Sequence, residues 1–552
     1  MTDVVFWLLC ICAGILTMIL KFAPRSIKRD DHRRSSKLSC LASGDNVTFQ
    51  ADGLNERSKA DGMIGKVLKG PRALPIIGSL HLLRGPGGPF EAFTNLAKLY
   101  GDIYQIQLGV EKCVVVSSYD LVKEVLITKG NHFGGRPDFI RFHKLFSGDR
   151  NNSLALCDWS DLQRKRRSLA RSFCSPRGGS LQQEELSRVA SLEAFQFLRT
   201  LHQEDSLAVL NGEQPLKPVI LAAAANMFTR YMCSARFGYN NNEFNKIIRN
   251  FDEIFWDINQ GYAVDFMPWL SPFYSKLFKR LHLLTSEIRN FILDKIVDPR
   301  RANLDDNGVP RDFTDALLLH LESSESDLTW EHIIFELEDF VGGHSAIGNL
   351  VMLILANTVI HSEVQKKIQE ECDVILSQSG RHSVSMDDRK DMPYTEAVIW
   401  ETLRVTSSPI VPHVATQNTE IGGYSVSKDT VVFVNNYQLN LGETYWGSDA
   451  KDFRPERFLN SVVDKFDGQR RTVVVKPNYF LPFSTGKRTC IGQRLVQGLT
   501  FVLITTILSH YDVLSSRDLK SCLLPGVVAL PPETFHLVLK SRKKFNSDME
   551  LC

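Results

Sequence analysis

Near the end of the chain, the segment Phe480-Leu-Pro-Phe483-Ser-Thr-Gly486-Lys-Arg488-Thr-Cys490-Ile-Gly492-Gln-Arg494-Leu495 narrows the range of folds more than any other stretch. It sets a single cysteine between two glycines, beside an arginine, and runs straight into Ile491-Gly-Gln-Arg-Leu-Val, a helical pattern. Gly486 and Gly492 allow a tight turn and a close approach of backbone to whatever the loop holds. A helix starting just after Cys490 brings its positive end to the sulfur and steadies a thiolate. The plainer reading of a lone cysteine here is core packing beside a glycine turn. The joint spacing of Phe483, Gly486, Arg488, Cys490 and Gly492 argues against it.

The chain has 552 residues, 43% of them hydrophobic, and a formal net charge of +2. That length admits one unusually large domain or two or three ordinary ones. The near-neutral balance lacks the basic excess of a protein that holds nucleic acid, so no nucleic-acid partner is expected. The 11 cysteines are an odd count without short regular spacing. They suggest neither a disulfide framework nor a CxxC zinc site, so the chain reads as reduced and intracellular.

At the N-terminus, Val4 to Leu20 carries no charge and is followed at once by Lys21, Arg25, Lys28, Arg29, Arg33 and Arg34. As a helix it would run about 25 Å, short of a full hydrocarbon core but workable in a thinner bilayer. The cations after it stay cytoplasmic, which leaves the rest of the chain in the cytosol. A cleaved signal peptide is the rival reading, but Asp3 precedes the core and the cations follow it, the reverse of a secretory n-region. Residues 1–21 are therefore expected to be a transmembrane signal-anchor, and 22–69 a polar tether without sustained period. On this topology the Asn46-Val47-Thr48 sequon faces the side where glycosylation does not occur.

Residues 70–552 read as the globular domain. Short β-like runs, Ile103 to Leu108 and Val114 to Ser117, come first. From Leu121 to Cys372 the pattern is mainly helical, broken by loops at Arg136-Pro137, Asn151-Asn152 and Asn240 to Asn242. After Pro409 strands return, and GGYSVSKDTVVFVNN reads as a hairpin-like pair of apolar runs. The expected class is mainly α with small β-sheets, one intertwined α+β domain.

The cysteine segment matches F-x-x-G-x-R-x-C-x-G, the haem-binding loop of the cytochrome P-450 family, at every fixed position, and the chain resembles that family from the tether onward. The resemblance implies haem b (iron protoporphyrin IX), with Cys490 as axial ligand of the iron. It implies that Phe483 shields the sulfur, that Arg488 pairs with a haem propionate, and that Gly486 and Gly492 let backbone approach the porphyrin. A thiolate ligand pushes electron density toward bound O₂, and hydrogen bonds from its surroundings keep it in place.

Other segments follow the same order. Glu401-Thr-Leu-Arg404 places a carboxylate and a guanidinium on one helical face. With Arg457 in Phe453-Arg-Pro-Glu-Arg457-Phe they resemble the family's Glu-Arg-Arg network, whose role is architectural. His413, in Ser408-Pro-Ile-Val-Pro412-His413, and Trp159, heading Trp-Ser-Asp-Leu-Gln-Arg-Lys-Arg-Arg, are candidates to contact the haem. The cation expected four residues after the tryptophan falls on Gln163. Arg164 stands beside it and Arg166 one further turn along, and either remains a candidate to meet the propionate. This basic cluster also suits an acidic electron-donor protein, and a solvated charged face is the equal alternative.

One departure stands out. Where the family carries (A/G)-G-x-(D/E)-T on the helix crossing the distal face of the haem, this chain has Gly342-Gly343-His344-Ser345-Ala346. The glycines that permit a kink are kept. The acid is replaced by Ser345 and the threonine by Ala346. Three readings follow: Ser345, with His344, delivers protons; the substrate's own hydroxyl completes the relay; or the enzyme is an isomerase or dehydratase that does not use O₂ in the usual way. A non-catalytic haem ligand-binder is a further alternative. The departure, with ETLRVTSSPIVPHVA, resembles the arthropod Spook/Spookier group, implying a sterol substrate in ecdysteroid (moulting hormone) synthesis. It implies a microsomal monooxygenase, single-pass in the endoplasmic reticulum membrane. NADPH-cytochrome P-450 reductase, with cytochrome b5 as a further donor, would supply its electrons, since no nucleotide fingerprint is present. The aromatic stretch from Phe251 to Phe273 is a candidate roof for an apolar pocket, or plain core.

Overall fold

The computed structural model describes residues 66–84, 88–203, 213–305, 308–322, 327–463, 469–526 and 528–542. The expected anchor at 1–21 and nearly all of the expected tether lie outside these residues. The last part of the 22–69 segment belongs to the folded body instead. Lys66 bridges to Tyr424, Leu68 is buried, and the Lys69 carbonyl accepts from the Gln105 N–H at 2.9 Å.

The body is mainly helical with small sheets. In chain order the elements that build the site are α1 (Gly88–Tyr100), β1 (Ile103–Leu108), β2 (Glu111–Val116), α2 (Ile140–Leu145), α3 (Asp161–Cys174), α4 (Leu181–Gln203) and α5 (Lys217–Cys233). There follow α6 (Asn242–Asn259), α7 (Ser275–Ile292), α8 (Trp330–Val341), α9 (Gly343–Ile360), α10 (Ser362–Ser379), α11 (Pro393–Thr406), β3 (His413–Val414), β4 (Val431–Val434) and α12 (Gln493–His510). Local chemistry sets several boundaries. The side chains of Ser160, Asn241 and Thr329 accept from the backbone N–H groups of Gln163, Phe244 and His332, capping α3, α6 and α8.

Helix α9 is apolar nearly all round, and such a helix must be enclosed by others. It packs between α5 and α12. Gly348 permits the closest contact, since a Cβ there would stand 2.5 Å from Leu221 Cδ2 of α5. The run Trp330–Ile360 is long and apolar enough to cross a membrane, yet 78% of its apolar window is buried inside the domain, as a core helix requires.

The main sheet has the order β1-β2-β4-β3. It joins the two ends of the domain, because β2 pairs in parallel with β4 from far along the chain. The expected hairpin within GGYSVSKDTVVFVNN does not form. Tyr424–Val426 turns back on Thr419–Ile421 across Gly422-Gly423, both with positive φ. That two-glycine turn suits a tight hairpin and leaves Val431–Val434 free to join the main sheet.

Candidate functional site

The cysteine loop is a turn held by its own backbone. The Cys490 N–H donates to the Phe483 carbonyl at 2.9 Å, and Gly486–Arg488 forms one 3-10 turn. Gly486 is obligatory on two counts: its φ is +72°, and a Cβ would lie 2.0 Å from the Leu126 carbonyl oxygen. Gly492 differs from expectation, for its backbone is ordinary and a Cβ would meet nothing within 4 Å. The loop borders open space at that point. Cys490 lies deep in the body yet its side chain is uncovered. Burial pushes its thiol up, against the N–H of Gly492, the Arg167 guanidinium and the N–H of Gln493, all of which favour the anion. Phe483 sets its ring edge-on to Trp400 of α11, with centroids 6.2 Å apart.

Behind the loop, Arg404 and Glu401 are fully buried and doubly bonded, both contacts at 2.7 Å. Arg457 reaches the same carboxylate at 3.1 Å. Arg404 also donates to the carbonyls of Asn440, Ala450 and Asp452. The three residues named from the sequence thus form one network joining α11 to the segment before the cysteine loop.

Beside the loop lies a buried group of three arginines and a histidine. Arg488 donates to the carbonyls of Ala155 and Cys157, leaving Nε and Nη1 without a partner. Arg167 of α3 donates to the Thr489 carbonyl and leaves its Nε unpaired. His413 is fixed through Nδ1 to the Phe133 carbonyl at 2.8 Å, and its Nε2 is buried and unpaired. Arg136 donates to the carbonyls of Ala155, Val411 and Pro412. Burial pushes Arg136 and His413 well below their usual values. Repulsion from Arg488 and Arg167 adds to the shift at Arg136, and repulsion from Arg136 and Arg488 to that at His413. Arg167 is pushed down to about 10 by burial and by Arg488. Buried polar atoms are almost always paired, and crowded buried cations are costly, so this group is complete only with an anionic ligand.

Helix phase decides which arginine of α3 belongs to it. Gln163, Arg166, Arg167, Ala170 and Cys174 form the buried face. Arg164 stands outside, paired with Asp161 at 2.9 Å, and is not the inward cation. Arg166 is consumed by Glu336 of α8, a fully buried pair at 3.0 Å. Trp159 is half-buried and, with Arg164, Arg171 and Lys487, lines an outer basin of about 480 Å³ over the cysteine loop.

The helix expected to cross the haem is interrupted at Gly342, between α8 and α9. Gly342, Gly343 and Ala346 keep open surface, whereas His344 and Ser345 are wholly covered. His344 Nδ1 bonds the Val341 carbonyl at 2.6 Å, and its ring stands edge-on to Phe251. His344 Nε2 and Ser345 Oγ have no partner. An exposed cysteine side chain, open space at Gly492, and buried guanidinium and imidazole nitrogens without partners fit a dianionic, metal-bearing cofactor.

A model of the cytochrome P450 family matches residues 68–539. The chain belongs to the cytochrome P450 family. It is 46% identical over 490 residues to cytochrome P450 307a1 of Drosophila melanogaster, covering 86% of this chain and 89% of the relative. It is 29% identical over 492 residues to steroid 17-alpha-hydroxylase/17,20 lyase of Ictalurus punctatus, covering 87% and 91%. Cytochrome P450 1B1 of Rattus norvegicus is 31% identical over 463 residues, 80% of each chain. This P450 is accordingly a monooxygenase, and its cofactor is haem b.

Two residues of the P450 site had no assigned role in the sequence reading. Arg136 stood only in the Arg136-Pro137 loop, and Arg167 lies four residues after Gln163, the helical spacing that returns to the same face. A third, Asp339 of α8, accepts from Ser153 Oγ and the Leu154 N–H, fixing the loop whose carbonyls hold Arg488 and Arg136.

The buried imidazole on the distal helix makes a measurable prediction. Burial lowers His344 to about 4, against an ordinary value of 6.5. Between those values the unfolded chain binds a proton that the folded one refuses, so this stability is present above pH 6.5 and lost as pH falls toward 4. The slope from one such group is at most about 1.4 kcal/mol per pH unit. His344→Phe is expected to flatten the loss of stability between pH 7 and pH 5, read as urea midpoints; an unchanged slope excludes His344 as its source.

Proposed function

We propose that this P450 oxidises a sterol in ecdysteroid (moulting hormone) biosynthesis, taking electrons from NADPH through P450 reductase at the endoplasmic reticulum membrane. The carrying observation is the Cys490 loop combined with Ser345-Ala346 in place of the acid–threonine pair and with ETLRVTSSPIVPHVA, the combination that resembles the Spook/Spookier group. Similarity to a steroid hydroxylase over most of the chain supports the substrate class.

The haem, when bound, supplies the iron centre at which O₂ is reduced and an oxygen atom enters a C–H bond. Cys490 Sγ would hold the iron, and the Gly492 and Gln493 amides and Arg167 favour its anion against the burial that pushes the thiol up. Arg488, Arg167 and His413, each with a buried nitrogen that has no partner, would hold the haem propionates, with Arg136 beside them. Gly492 leaves room for the porphyrin face. The outer basin, with Trp159, Arg164, Arg171 and Lys487 over the cysteine loop, suits an acidic electron donor. Trp269 and Phe273, between α6 and α7, expose large apolar rings, which suits a face resting on a bilayer.

Reconstitution with reductase and a panel of sterols tests this reading. Oxygenated product dependent on both NADPH and O₂ is expected. Product formed without either would make the protein an isomerase or dehydratase, and substrate-induced haem spectral shifts without turnover would make it a binder.

A further inference from the structure

We propose that His344 holds the helix broken at Gly342, its side chain taking the backbone carbonyl that an uninterrupted helix would use for itself. The inference rests on the monooxygenase assignment and holds whichever molecule is oxidised. Helix α8 ends at Val341 and α9 starts at Gly343. In an unbroken α-helix the Ser345 N–H would donate to the Val341 carbonyl, four residues back. Here it donates to the Gly342 carbonyl, three back, at 3.1 Å. Gly342 has φ −59° and ψ −19°, close to the values of a 3-10 turn. The Val341 carbonyl is thereby left over, and a buried carbonyl without a partner is costly. His344 Nδ1 bonds it at 2.6 Å. A side chain inserted into the backbone ladder in this way is one of the few causes of a sharp break.

The ring is suited to that single task. A carbonyl only accepts, so Nδ1 is the nitrogen that carries the hydrogen. Burial keeps the imidazole neutral, lowering it to about 4, and Nε2 has no partner. The ring is backed by Phe251 of α6, to which it stands edge-on with centroids 5.4 Å apart. Phe251 also covers Gly342, where a Cβ would lie 3.2 Å from its ring. Glycine at 342 thus admits the phenylalanine that backs the imidazole. Ser345 shows the same competition from the other side. A serine inside a helix ordinarily turns its hydroxyl back to the carbonyl four residues before it, here that of Val341. With His344 on that carbonyl, Ser345 Oγ is buried without a partner.

The break is where this helix leaves room. Gly342, Gly343 and Ala346 keep open surface, whereas Ile347 to Thr358 are buried. Regular winding from Val341 to Ser345 would draw the first turn of α9 onto α8 and narrow the opening that the helix offers to O₂ and substrate. His344 is itself wholly covered. It acts through the backbone and is a positioning residue.

The test uses the full-length haem-loaded protein and two variants that separate the bond from the packing. His344→Phe keeps a ring against Phe251 and removes the N–H. His344→Asn loses the ring and carries an N–H where Nδ1 stood. In His344→Phe the helix is expected to close, so the amide hydrogens from Gly343 to Ala346 exchange roughly 10-fold more slowly, the protection of one added hydrogen bond. Product formed per NADPH is expected to fall roughly 100-fold, as a misplacement of about 1 Å at a reacting centre does. His344→Asn is expected to match the wild type in both measurements. A packing role predicts the reverse order, with phenylalanine tolerated and asparagine impaired. That order, or exchange in His344→Phe that is unchanged or faster, would overturn the proposal. If one variant does not fold, the exchange pattern of the other decides alone. Should the wild type oxygenate no sterol at all, the substrate reading falls, and the exchange measurement still decides the role of His344.

Discussion

Cys490→Ser is expected to yield a folded protein whose ferrous carbonyl spectrum has lost the thiolate signature and whose NADPH-driven turnover drops to background. The loss should be at least about 10⁶-fold, the floor of enzymic acceleration. Serine does not ionise at neutral pH, so the Gly492 and Gln493 amides and Arg167 lose the anion they stabilise, and the iron loses the electron donation on which O–O cleavage depends. The fold should survive, because the turn is closed by the Cys490 N–H and the Phe483 carbonyl, neither of which the substitution touches. A variant that kept a thiolate-type spectrum would show that another cysteine binds the iron.

Glu401→Gln should have the second large effect, on folding rather than chemistry. Arg404 and Arg457 both meet the Glu401 carboxylate in a buried setting. Without its charge the buried Arg404 guanidinium is left uncompensated, while Arg457 keeps Asp449 at 3.4 Å, and the cost of stranding the one charge is roughly 3–5 kcal/mol. That is a large share of the ~5–15 kcal/mol by which a native protein is stable. Recovery of haem-loaded protein and its thermal midpoint measure the effect. Arg404→Lys is not expected to rescue the network, since one ammonium cannot satisfy Glu401 and the carbonyls of Asn440, Ala450 and Asp452 together. Wild-type stability in Glu401→Gln would reduce the network to a bystander.

What the sequence revealed follows from the reach of each interaction. The cysteine loop was legible because Phe483 to Gly492 is one continuous turn whose identities are fixed locally. The Glu401–Arg404 pair was legible from its helical spacing, and Arg457 from the order of motifs around it. Arg136 was not, because its partners Ala155 and Pro412 come from distant loops. The choice among the arginines of α3 depended on which face of that helix is buried, a property set by α8 and the cysteine loop rather than by α3 itself. Pairing of β4 with β2, rather than with Tyr424–Val426 just before it, was likewise a tertiary choice.

The crowding of Arg136, Arg167, Arg488 and His413 also bears on how the protein matures. The three guanidiniums repel one another, and a bound haem would bring two carboxylates to them as counter-ion. A ligand that binds only the native state raises its stability in proportion to its supply. The amount of working enzyme in a cell is thereby tied to haem abundance, and scarcity would thin the population before it slowed any single molecule.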